Sequence, residues 1–115
     1  MLTQLSYDQT LVNELRLRFG LTEQEVSNFP HRNVLTMAVG TSASVAVHIH
    51  ELRLEAGDQI LLCSDGLSGP VPDATLAELL AVEAPLEAVV ARLIEEAKAR
   101  GAPDNVTAVL LRYRE

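Results

Sequence analysis

The chain reads as an α+β fold: an antiparallel β-sheet with two long helices on one face. Three stretches predict it. "QILLCS", residues 59–64, is a nearly continuous apolar run of strand length. "LEAVVARLIEEAKA", residues 86–99, repeats apolar side chains at i, i+3, i+4, i+7 and i+8. "NVTAVLLR", residues 105–112, alternates in the manner of a strand.

The elements follow in order. Residues 2–7 alternate weakly and suggest a short strand. Asp8 and Thr10 are N-cap residue types, and Leu11, Val12, Leu15 and Phe19 then follow helical spacing up to Gly20. Thr22-Glu23-Gln24-Glu25 has the capping-box pattern and opens a second, short helix that ends before Pro30. Residues 31–40 read as an irregular connector with a brief extended piece at 34–37. Residues 45–54 are rich in β-branched side chains and read as a strand. The turn Ala56-Gly57-Asp58 should join that strand to 59–64 as an antiparallel hairpin. Pro72 and Asp73 cap a helix that runs to about Val82, and Pro85 sits in the first turn of the next. Glu87, Arg92, Glu95, Glu96 and Lys98 take the wet side of that helix, and Gly101 ends it.

Composition narrows the function. At 115 residues the chain is one domain or part of one. Two Phe, two Tyr and no Trp leave an aliphatic core. A net charge of −7, with no basic cluster, argues against nucleic acid as a partner. No apolar run approaches the length of a membrane span, and "MLTQLS" has no basic region before an apolar one. Cys63 is the only cysteine, so no internal disulfide forms; in its apolar run it reads as a small buried side chain. The expected setting is cytoplasmic.

The chemistry concentrates at two aspartates on strand ends, Asp65 in "SDG" and Asp104 in "PDN". If their strands are antiparallel neighbours, the end of one lies beside the start of the other. Two carboxylates brought together need a proton or a cation. Mg²⁺ or Mn²⁺ suits such a pair, because hard ions take oxygen ligands. Both aspartates also suit ordinary turns, and spacing alone does not separate the two readings. His48 and His50 lie two apart: solvent-facing residues on one reading, a transition-metal site on the other. His31 and Arg32 are either solvated loop or contacts to a phosphate. Asp8 reads as an N-cap rather than a ligand, and no Gly-x-Ser-x-Gly elbow surrounds Ser64.

"GDQILLCSDGLSGPV" and "GAPDNVTAVLL", preceded by "LTQLSYDQTLVNEL" and "FPHRNVLTMAVG", resemble the C-terminal half of the metal-dependent PP2C-type (PPM) serine/threonine phosphatases, above all the bacterial ones. The likeness runs from Leu2 to Tyr113. It implies half of an α/β/β/α sandwich, a single partial domain over 1–115 with a flap-like segment at about 20–40. It implies that Asp65 and Asp104 bind the same one of two Mn²⁺ or Mg²⁺ ions, with Ser64, Gly66 and Asn105 beside the site and His31 and Arg32 in the flap. The family's chemistry is attack by a metal-held water on phosphoserine or phosphothreonine of a phosphoprotein. The family's phosphate-binding Arg, its bridging Asp-Gly and its Gly-Asp-Ser-Arg motif are absent here, and Met37 stands where an Arg is usual. The expectation is therefore a partial metal site with little or no activity alone. A half-sandwich also leaves one apolar sheet face bare, which implies self-association or pairing with an N-terminal half. A non-catalytic association module built on the same half-fold is the alternative.

Overall fold

The computed structural model describes residues 1–28, 34–101 and 105–114. The chain divides into two compact units, residues 4–51 and residues 1–3 with 52–115.

In the first unit, helix α1 spans Leu11–Phe19. Thr10 is its N-cap: the Thr10 hydroxyl accepts from the Asn13 amide at 3.2 Å. Asp8 is not a cap, contrary to expectation. Its backbone carbonyl accepts from the buried Asn13 side chain at 2.8 Å, and its carboxylate accepts from Gln4. Asn13 in turn accepts from Arg16, so this buried amide is satisfied. Gly20 closes α1 with φ +67°, a left-handed conformation that glycine adopts at little cost. Helix α2, Glu23–Ser27, is capped by Thr22, whose hydroxyl pairs with both the amide and the carboxylate of Glu25. The extended piece expected at 34–37 reduces to one antiparallel bridge between Leu35 and Thr10.

Neither outer strand expected from the sequence forms. Residues 2–7 are not a strand, and neither are residues 45–54. Val47 and Ile49 are exposed, so their alternation meets no apolar surface among the described residues. Without a covered face a two-residue-period segment gains too little to hold a ladder. The His48 ring stacks on Tyr7 at 4.4 Å. The Tyr7 hydroxyl donates to Glu14 at 2.7 Å, and that bond, followed by desolvation, raises the Tyr7 pKa.

In the second unit, strands β1 (Gln59–Cys63) and β2 (Ala108–Arg112) pair antiparallel, with Leu61 opposite Leu110 and Cys63 opposite Ala108. The turn at Gly57 (φ +93°) serves this pairing rather than a hairpin with residues 45–54. The Gly57 amide donates to the Tyr113 carbonyl, and the Tyr113 amide to that of Asp58. Helices α3 (Asp65–Ser68), α4 (Asp73–Leu80) and α5 (Leu86–Ala99) follow β1. Pro72 and Pro85 occupy the two N-cap positions, where a missing N–H costs nothing. Helix α5 packs on β2 and α4 packs on α5. Their shared core is Leu67, Val71, Leu76, Leu80, Val89, Leu93, Ala97 and Leu110. Gln59 ties the sheet to the end of α4 by donating to the Leu80 carbonyl at 2.9 Å.

Alternation leaves the other sheet face about half exposed among the described residues. Leu62, Val109 and Leu111 are 57%, 49% and 50% exposed, with Ile60 beside them. Cys63, expected inside, is exposed at the strand end. Partial desolvation nevertheless raises its pKa, against opposing hydrogen bonds from Ser68.

Leu93 is fully buried at the centre of α5. Leu93→Ala is expected to lower unfolding free energy by about 2–5 kcal/mol in urea denaturation, through lost burial and a residual cavity. Gly66→Ala is expected to cost about 1–3 kcal/mol by overpacking, because a Cβ there overlaps the Asn105 carbonyl.

Candidate functional site

The candidate site lies where β1 leaves the sheet. The β1–β2 register continues past the named strands, and Ser64 faces Thr107: the Ser64 amide donates to the Thr107 carbonyl at 2.9 Å. In an unbroken ladder the Thr107 amide would return a bond to the Ser64 carbonyl. That carbonyl is instead the first acceptor of α3, receiving the Leu67 amide at 3.1 Å. The Thr107 amide donates to the Ser64 hydroxyl, at 3.0 Å. The same hydroxyl donates to the Asn105 carbonyl at 3.2 Å. Ser64 occupies the N-cap position of α3 yet makes no side-chain cap, because its hydroxyl is committed to the neighbouring strand.

Gly66 completes the junction. It is buried, and the Asn105 backbone lies so close that an added Cβ would stand 2.8 Å from the Asn105 carbonyl carbon. Leu67, wholly buried, anchors α3 in the core. Asp65 begins α3 and is exposed, with its carbonyl receiving the Gly69 amide at 2.8 Å. The sequence places Asp65 at a strand end before a turn; here it opens a one-turn helix.

Ser64, Gly66 and Asn105 thus meet at this junction. Asp104, His31 and Arg32 lie outside the described residues. Among the described residues no group of three or more His, Cys, Asp or Glu side chains is placed to hold a metal ion. His48 and His50 are both exposed. What sequence reasoning missed is the bridging Ser64 hydroxyl and the tight seat of Gly66. The one signal for them was a small residue pair, Ser and Gly, flanking an acid at a strand end.

The junction offers oxygen chemistry. Asp65 presents an open carboxylate, while the Ser64 hydroxyl and the Asn105 carbonyl are already engaged with each other. Of these three groups the carboxylate carries the negative charge that a hard cation seeks.

Sequence and structure comparisons agree on kinship. The family model described as Stage II sporulation protein E (SpoIIE) matches residues 21–114. Serine/threonine phosphatase stp of Listeria innocua is 32% identical over 111 residues, which are 96% of this chain and 44% of that protein. The structure of serine/threonine phosphatase Stp1 from Staphylococcus aureus aligns with a TM-score of 0.94 at 32% identity, over 100% of this chain and 45% of that one. The catalytic domain of the serine/threonine protein phosphatase PstP, solved with two manganese ions, aligns with a TM-score of 0.77 at 35% identity, over 100% of this chain and 46% of that one. The chain spans about half the length of the relatives it matches. It belongs to the SpoIIE family and is a partial, C-terminal-type representative of the PP2C-type serine/threonine phosphatases.

Proposed function

We propose that this chain supplies the C-terminal half of a metal-dependent phosphatase centre that hydrolyses phosphoserine and phosphothreonine in phosphoproteins. Asp65 and Asp104 are its carboxylate ligands, to one Mn²⁺ or Mg²⁺. The observation that carries this reading is the junction: Asn105, next in sequence to Asp104, is hydrogen-bonded to the residue that precedes Asp65. The donor chemistry fits, since an exposed carboxylate at a sheet rim suits an oxygen-seeking ion that keeps several waters. When bound, such an ion supplies Lewis-acid polarisation of phosphate and a water of lowered pKa. The chain's own role is to hold negative charge at the rim and to present it on a helix anchored by Leu67. His31 and Arg32 are proposed as substrate contacts on sequence grounds alone. So is a cytoplasmic location, from the lone Cys63; among the described residues no helix is long and apolar enough to cross a membrane.

With one partial site, and without the missing Arg, Asp-Gly and Gly-Asp-Ser-Arg motifs, the chain alone has little or no activity. Transition-state stabilisation by both ions and the phosphate clamp is lost together. The half-exposed face of Ile60, Leu62, Val109 and Leu111 is the surface through which it pairs, with an N-terminal half or with itself. That face is also what favours a second reading, a non-catalytic association module in which Asp65 and Asp104 are turn residues.

Calorimetric titration separates the two. The wild type is expected to bind Mn²⁺ weakly, in the millimolar range, and Asp65→Ala and Asp104→Asn to lose at least about tenfold in affinity, a charge-paired ligand being worth over about 1.4 kcal/mol. Equal heats from all three proteins would leave only the association module. Hydrolysis of p-nitrophenyl phosphate should be negligible for the chain alone and appear on adding an N-terminal half that carries the missing motifs. Leu62→Glu should prevent that reconstitution without reducing Mn²⁺ binding.

A further inference from the structure

We propose that Ser64 is a positioning residue for the metal-binding rim. Its hydroxyl sets where residues 105–107 run relative to Asp65. The inference rests on the phosphatase reading above and adds a role for a side chain that contacts neither metal nor substrate.

The need for the hydroxyl comes from a conflict over one carbonyl. Residue 64 belongs to two structures at once. Its amide still works in the sheet, donating to Thr107 at 2.9 Å. Its carbonyl has turned away to start α3, accepting from Leu67 and, at 3.4 Å, from Ser68. An alanine at this position would therefore give the Thr107 amide nothing to bond but water, and the two strands would separate a residue early. The hydroxyl stands in for the missing carbonyl at 3.0 Å. Having accepted one bond, it donates the other to the Asn105 carbonyl at 3.2 Å. One oxygen thus fixes two points on the opposite chain, two residues apart. Gly66 fixes the same stretch from the other side, because Asn105 sits against its bare Cα. The hydroxyl thus ties the path of residues 105–107 to the sheet-to-helix switch that exposes Asp65.

The geometry makes a demand on residue type. The donor and acceptor must sit on a short side chain at Cβ, and Ser or Thr alone combine both on one oxygen there. Loss of a net hydrogen bond of this kind is worth about fivefold in a local equilibrium.

The test uses amide hydrogen exchange on the metal-free chain together with Mn²⁺ titration, for wild type, Ser64→Ala and Ser64→Thr. Ser64→Ala is expected to speed exchange at Thr107 by about fivefold or more while the amides of β1 and α5 keep their protection. It is expected to weaken Mn²⁺ binding by a similar factor, and Ser64→Thr to restore both. A general loss of packing would not spare β1 and α5, nor be reversed by Thr. Should Ser64→Ala fail to fold, Ser64→Cys carries the test with the same expectations, since a thiol fills the space but hydrogen-bonds weakly. Unchanged exchange at Thr107 in the variant would overturn the inference. So would a wild type and a Ser64→Ala that bind Mn²⁺ equally, with the phosphatase reading left intact. A wild type that binds no Mn²⁺ at millimolar concentration would overturn the reading beneath it, and the inference with it.

Discussion

The pairing of β1 with β2 is the constraint on which the second unit depends. The two strands are far apart in sequence, and the described residues between them are helix and connection. Setting Leu61 opposite Leu110 decides which side chains meet α5 and which remain in water. A slip of β1 by one residue would exchange its two faces against β2, turning Leu62 toward the core and Leu61 out to water. The same register places Ser64 opposite Thr107, and hence brings the ends of both strands to one rim. Core and candidate site are consequences of one alignment.

The helices reinforce that alignment rather than create it. Val89, Leu93 and Ala97 form a stripe on α5 that lies against the β2 side of the sheet. Their burial supplies the main driving force, since the ion pairs Glu96–Arg100 and Glu95–Lys98 lie at the surface and contribute little. Helix α3 is too short to stand on its own propensity. It holds because Leu67 is wholly buried and because Ser64 offers its carbonyl. A rigid mount for Asp65 thus comes from tertiary packing.

What the sequence made legible was whatever depends on local pattern. Gly20, Thr22 and the stripe of α5 each declared a helix boundary or face through short-range chemistry, and each is found where expected. The α+β class followed from the same signals. Residues 45–54 misled because alternation reports only an inclination to pair; whether a ladder forms depends on a covering surface elsewhere. Asp8 misled because two cap-type residues stood close together, and Thr10 alone has the geometry. Cys63 was read from the character of its run, whereas its exposure depends on lying at the open end of the strand. At the site, the acid and its Gly were visible as types. The bond from Thr107 to the Ser64 hydroxyl was not, because it is made across more than forty residues.

The half-exposed leucines and valine on the outer face of the sheet bear on the life of the molecule in a cell. A surface of that kind is what quality-control machinery recognises, and a copy that stays uncovered spends its time among chaperones and proteases. Its lifetime would then follow how much of that face is shielded.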